Sequence, residues 1–133
     1  MIIDATGAPL GRISSVIAKL AREGEEIIVI NAEKAIFKKD KNLVIKKLVE
    51  KKNKGSNNKG PFISFKSTEI FKRSVRGMIG RKKAVGREAF KRIKIYEGIP
   101  EGLDVSQSIN LFKSPDYNKY PNIKEISKYL GYE

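Results

Sequence analysis

The chain has 133 residues, with 28 Lys or Arg against 15 Asp or Glu and a hydrophobic share of 40%. A folded chain of this length buries about 68% of the surface it exposes when unfolded, so one compact domain over residues 1–133 is expected and wholesale disorder is excluded. The absence of both Cys and His removes disulfides, thiolate zinc sites, cysteine nucleophiles, the usual general base and the commonest metal ligand, which favours binding over catalysis.

The chain opens Met1-Ile2-Ile3, which predicts a short buried strand ending at Asp4, with no basic region or long apolar stretch of a signal peptide. Gly7 and Pro9 predict a turn, after which Leu10, Ile13, Ile17 and Leu20 recur on one face of a helix stopped by Gly24. Ile27-Ile28-Val29-Ile30 is a β-branched run typical of a covered strand, and strand, helix and strand in thirty residues predict a right-handed βαβ unit. The same run is the longest aliphatic one and is far too short for a membrane span, so a soluble, cytoplasmic protein without a membrane partner is expected.

Asp40 is placed to cap a helix running to about Lys52, with Val44, Leu48 and Ile45, Val49 as i, i+4 pairs. From Lys51 to Pro61 the chain is almost wholly polar, Gly or Pro, which predicts a loop or tongue. Ser67 is placed to cap a third helix with Phe71, Val75 and Met78 as its buried stripe, broken by Gly77 and Gly80. A short helix is expected over Arg87 to Arg92, followed by an edge or last strand at Ile93–Tyr96. Gly98, Pro100 and Gly102 open an irregular extension over 101–133, with a last short helix after Asn122 carrying Ile123, Ile126 and Leu130 and ending at Gly131. These elements predict an α/β architecture with helices on both faces of a small, mainly parallel sheet.

The charge is not spread evenly. Residues 34–94 hold 21 Lys or Arg and four acids, whereas the other 72 residues hold seven Lys or Arg and eleven acids. A cationic sector on a faintly acidic frame fits a polyanion, and nucleic acid is the first candidate. The densest stretch is Lys72, Arg73, Arg76, Arg81, Lys82, Lys83 and Arg87. A solvated helix face mixes signs, but here only Glu69 sits near enough to relieve the repulsion, so contact with phosphates is the stronger reading. Lys34, Lys54, Lys59 and Lys91 lie in the same sector and are further expected RNA contacts. Phe62 and Phe65 are possible stacking platforms, although core packing is the commoner use of such rings.

Gly7-Ala8-Pro9-Leu10-Gly11-Arg12-Ile13-Ser14, between strand and helix, occupies the place of a phosphate loop. It has three residues between its glycines instead of four, Arg-Ile instead of Lys-Ser/Thr, and a proline that removes an N–H donor. A small nucleotide-binding enzyme is therefore the weaker alternative, a tight turn is the plain reading, and a helix start with Arg12 holding one backbone phosphate is intermediate. Asp4, Glu33 and Glu97 could meet at strand ends, though no spacing requires it.

Four segments together resemble the universal large-subunit ribosomal protein thirteen family, in its archaeal and eukaryotic branch. They are Asp4-Ala5-Thr6-Gly7 with Leu10-Gly11-Arg12 and Ser15; Val29 to Ala35; Gly60-Pro61-Phe62 with Ile70 to Met78; and Arg81-Lys82-Lys83 with Gly86 to Pro100. The resemblance covers most of residues 2–100 and thins beyond, and Gly80 stands where many relatives have proline. It implies a three-layer α/β/α fold with a small, mainly parallel four-stranded sheet. It also implies a structural constituent of the large ribosomal subunit that binds ribosomal RNA, adjoins neighbouring ribosomal proteins and supports assembly. No catalysis, cofactor, metal or small-molecule substrate is expected. By position it assigns RNA contact to Arg73, Arg76, Arg81, Lys82, Lys83 and Arg87. A stand-alone RNA-binding regulator is a further alternative.

Overall fold

A computed structural model describes residues 1–54 and 64–131. Four strands, β1 (Ile2–Asp4), β2 (Ile27–Ile30), β3 (Ile93–Ile95) and β4 (Ile109–Asn110), form one sheet in the order β3-β2-β1-β4. Every pairing in it is parallel, so the expectation of a mainly parallel sheet becomes an all-parallel one. Among the described residues five helices accompany the strands: α1 (Leu10–Arg22), α2 (Lys41–Lys52), α3 (Ser67–Ile79), α4 (Ala84–Lys91) and α5 (Ile123–Tyr129). The fold is three-layer α/β.

The two sheet faces are covered unequally. Side chains alternate along a strand, and the register aligns Ile3 with Val29 and Val29 with Ile95 on one face, all of them buried. The other face aligns Ile2, Ile28 and Lys94, of which the first two are half-buried and Lys94 is exposed. On the covered face, α1 presents Ile13, Ile17 and Ala21 to a core shared with Phe71, Val75 and Ile79 of α3 and Ala89 of α4.

Helix ends largely follow the sequence signals. Asp40 accepts from the N–H of Asn42, and Asn122 accepts from the N–H of Glu125, so both caps form. Gly24 and Gly131 take positive φ just past their helices. Four expectations need correction. Ser67 does not cap α3; it is the first helical residue, buried, with Lys66 in the cap position. Met78 is exposed, and Ile70 and Ile79 complete the buried stripe instead. Gly77 does not break α3; the helix ends at Gly80 with φ +74, a value closed to proline, whose ring fixes φ near −65°. α4 also starts earlier than expected, at Ala84, because Gly86 is an internal helical residue and not a breaker.

The extension beyond residue 100 is part of the fold. β4 pairs with β1, and α5 buries Ile123 and Ile126 in the core cluster. The Ser127 hydroxyl donates to the Phe65 carbonyl at 2.7 Å, joining α5 to the segment that leads into α3.

Candidate nucleic-acid interface

α3, the turn that follows it and the start of α4 fold into one open groove of about 1260 Å³. Arg73, Arg76, Arg81, Lys82, Lys83 and Arg87 all line it, so six of the expected residues converge. Two further cations join them, Arg22 from the last turn of α1 and Lys51 from the end of α2. Against these eight cations the groove has one acidic residue, Glu69, whose carboxylate lies 3.8 Å from the Lys72 ammonium.

The geometry is built by backbone. Gly80 in the left-handed region reverses the chain, and Lys83 N–H donates to the Gly80 carbonyl at 3.1 Å. Gly86 then packs directly on that turn: a Cβ there would stand 2.1 Å from the Gly80 carbonyl oxygen. Arg87 Nη1 donates to the Lys82 carbonyl at 3.0 Å, which ties the first turn of α4 to the basic loop. Arg92 Nη1 donates to the Ala21 carbonyl at 2.8 Å, so the C-terminal end of α1 is fastened to the end of α4. That fastening carries Arg22 to the turn, where its Nη1 lies 3.8 Å from the position a Gly80 Cβ would take.

The electrostatics are one-sided. Lys41 pairs with Glu125, Lys72 with Glu69 and Lys91 with Glu88, and none of these three pairs draws on a groove-lining cation. Arg73 is engaged by the Phe65 ring, with its guanidinium 4.9 Å from the ring centroid. Concentrated like charge with so little internal compensation raises a strong positive potential, and arginine forks match phosphate bidentately.

Other expected residues fall elsewhere. Lys72 and Lys91 are not among the groove-lining residues; Lys72 pairs with the groove's Glu69 and Lys91 with Glu88. Lys54 is exposed just past α2, and Lys34 is exposed in a short 3-10 turn after β2. Arg12 is exposed at the start of α1 and lines a separate cavity. Lys59 and Phe62, with most of the expected tongue, lie outside the described residues. Phe65 is fully buried, which removes it as a stacking platform.

The turn that opens the Gly7 to Ser14 segment commits most of its N–H groups within the fold. Thr6 N–H donates to Asp4, Gly7 N–H to the Lys34 carbonyl, Ala8 N–H to the Ala5 carbonyl and Leu10 N–H to the Ile36 carbonyl. Above Gly7 a Cβ would lie 3.1 Å from the Tyr117 ring and 3.2 Å from Lys113, so the C-terminal extension covers the turn. Asp4 braces this corner. Partial burial pushes its carboxyl up, but the hydroxyl and N–H of Thr6, the Asn31 amide and the nearby Lys34 charge outweigh that and hold it below the usual carboxylate range. Glu33 accepts from the Gly98 N–H at 2.9 Å. Among the described residues no group of three or more Asp or Glu gathers as a metal site would require, nor is any helix long and apolar enough to cross a membrane.

A family model described as ribosomal protein L13 matches residues 1–102. The chain is 42% identical to the large ribosomal subunit protein uL13 of Archaeoglobus fulgidus, over 98% of this chain and 87% of that one. It is 42% identical to the uL13 of Methanococcus maripaludis, over 98% and 97%, and 40% identical to that of Methanocaldococcus jannaschii, over 98% and 96%. These alignments run on through the extension, where the sequence motifs alone had suggested that likeness fades.

Proposed function

This chain belongs to the ribosomal protein L13 family, and on that premise we propose that it is a structural constituent of the large ribosomal subunit whose cationic groove rests on ribosomal RNA, without catalysis. The observation that carries this reading is the groove itself: eight Lys and Arg side chains and one carboxylate on a surface fixed by backbone contacts. Relatives named large ribosomal subunit protein uL13 support the assembly it serves, and with it ribosomal RNA and neighbouring ribosomal proteins as partners in the cytoplasm. Single-domain behaviour of residues 1–133 belongs to the same proposal.

The groove recognises shape and charge. The deep major groove of an A-form helix is closed to side chains, so a protein holds folded RNA chiefly by phosphates, 2′-hydroxyls and unstacked bases. A turn whose backbone is already fixed presents its Lys and Arg to phosphates without first ordering the chain, which lowers the entropic cost of association. The nucleotide-enzyme alternative is the weaker reading, since the N–H groups of Thr6, Gly7, Ala8 and Leu10 are spent within the fold.

Salt-dependent binding to large-subunit ribosomal RNA tests the proposal. Replacing Arg76 and Arg81 together with Ala should weaken binding and flatten the plot of log affinity against log salt by about two units at most, near one per lost phosphate contact. Replacing Lys91, outside the groove, should leave the slope unchanged. Equal affinity and slope for wild type and the double variant would overturn the assignment. Co-sedimentation separates a stand-alone regulator, because a structural constituent stays with large subunits through a high-salt wash.

A further inference from the structure

The feature that the groove does not explain is a second cavity, of about 440 Å³, between the start of α1 and α2. Its volume falls in the range of about 300–1,000 Å³ typical of small-molecule sites. Its floor is apolar: Leu10, Ile36 and Val44 are buried there, while the half-buried Phe37 and Leu48 remain open to it. Its rim carries Arg12, Lys38, Lys39 and Lys47, all exposed, and its lining includes no acid. None of these four cations has an ion pair among the described residues. The floor is fixed by backbone, since Leu10 N–H donates to the Ile36 carbonyl and Phe37 N–H to the Pro121 carbonyl, each at 2.9 Å.

We propose that this slot takes one unstacked nucleotide of a single-stranded RNA segment, its base on the apolar floor against Phe37 and its flanking phosphates on the rim. This rests on the RNA-binding reading above, and adds a site distinct from the groove. The occupant follows from the pairing of two chemistries. A free phosphate satisfies the rim but leaves the floor wet. An apolar protein side chain fills the floor but brings no anion to the rim, whose lining includes no acid among the described residues. A nucleotide joins an apolar π-face to an anion, and base-on-aromatic stacking tolerates any base. Only a base outside a duplex can enter, because an A-form helix keeps its bases stacked inside. Ser74 of α3 also lines the slot and brings a polar group to its wall. Arg12 thereby acquires a role that the groove does not give it.

The test is an amide-resolved NMR titration of the full chain with three probes: a short single-stranded oligoadenylate, a blunt A-form RNA duplex and inorganic phosphate. The single strand should shift Gly11, Phe37 and Leu48. The duplex should shift the segment 73–87 and spare the slot. Phe37→Leu keeps the apolar volume without the ring; with an unchanged melting temperature it should weaken single-strand binding roughly five-fold or more and leave duplex binding unaltered. Slot shifts reproduced by inorganic phosphate would overturn the proposal, as would single-strand shifts confined to 73–87 or an apolar acidic peptide displacing the oligoadenylate from the slot. If the duplex spares 73–87 as well, the groove assignment fails independently.

Discussion

Gly86 is the most exposed point of the account to a single substitution. In Gly86→Ala the new Cβ would stand 2.1 Å from the Gly80 carbonyl oxygen, 2.5 Å from its carbon and 2.9 Å from the Ile79 oxygen. Ordinary contact begins near about 3.5 Å, so α4 and the turn must separate by more than about 1 Å, and all three obstructing atoms are backbone. Overpacking of this kind costs about 1–3 kcal/mol, and more where nothing flexible can yield. Alanine's better helix propensity returns about 0.5–1 kcal/mol. A net loss of about 2 kcal/mol is expected, which for a chain of this size lowers the melting temperature by roughly 8 °C. Gly77→Ala is the matched control: Gly77 lies inside α3 with no heavy atom within 4 Å of its would-be Cβ, so the same change should stabilise by about 0.5–1 kcal/mol. Thermal melts followed by circular dichroism decide it. A Gly86→Ala protein melting at or above wild type would refute the argument that this glycine is required by close approach.

Ser127→Ala removes the buried hydroxyl that serves the Phe65 carbonyl, and should cost about 1–2 kcal/mol in chemical denaturation. Arg22→Ala should lower RNA affinity and the salt slope by about one unit although Arg22 lies far in sequence from the basic sector; an unchanged slope would remove α1 from the interface. The Asp4 carboxyl is held low in the fold, so its contribution to stability is fully present above its unfolded value of about 3.9 and is lost as pH falls through the lower folded value. Asp4→Asn should therefore cost about 1 kcal/mol near neutral pH and progressively less under acid, as urea melts from pH 7 to 2 would show; a pH-independent difference would contradict the linkage.

Much of this architecture is legible in the residues because local and tertiary signals agree. Leu10, Ile13 and Ile17 mark a helix face that no competing pattern disputes, and Asp40 and Asn122 stand where a helix start needs an acceptor. Legibility fails where the deciding partner is distant. Phe71, Val75 and Met78 make as good a helical stripe as Phe71, Val75 and Ile79; packing against α1 chooses the second. β4 has two residues, too few for any periodicity, and is a strand only through its hydrogen bonds to β1. Gly86 is a poor helix former by propensity, yet it sits mid-helix so that the chain can touch Gly80. The six core groove residues were visible as a charge cluster. Arg22 was not, because a helix-helix attachment through Arg92, and no sequence spacing, delivers it there.

The most direct test of the central claim is residue-level mapping of RNA crosslinks on this protein within assembled large subunits. The account predicts nucleotide adducts on peptides spanning 73–87, with Arg22 among the crosslinked positions, and none on the acid-bearing segment 97–110. Adducts concentrated on 97–110, with the groove peptides unmodified, would contradict it.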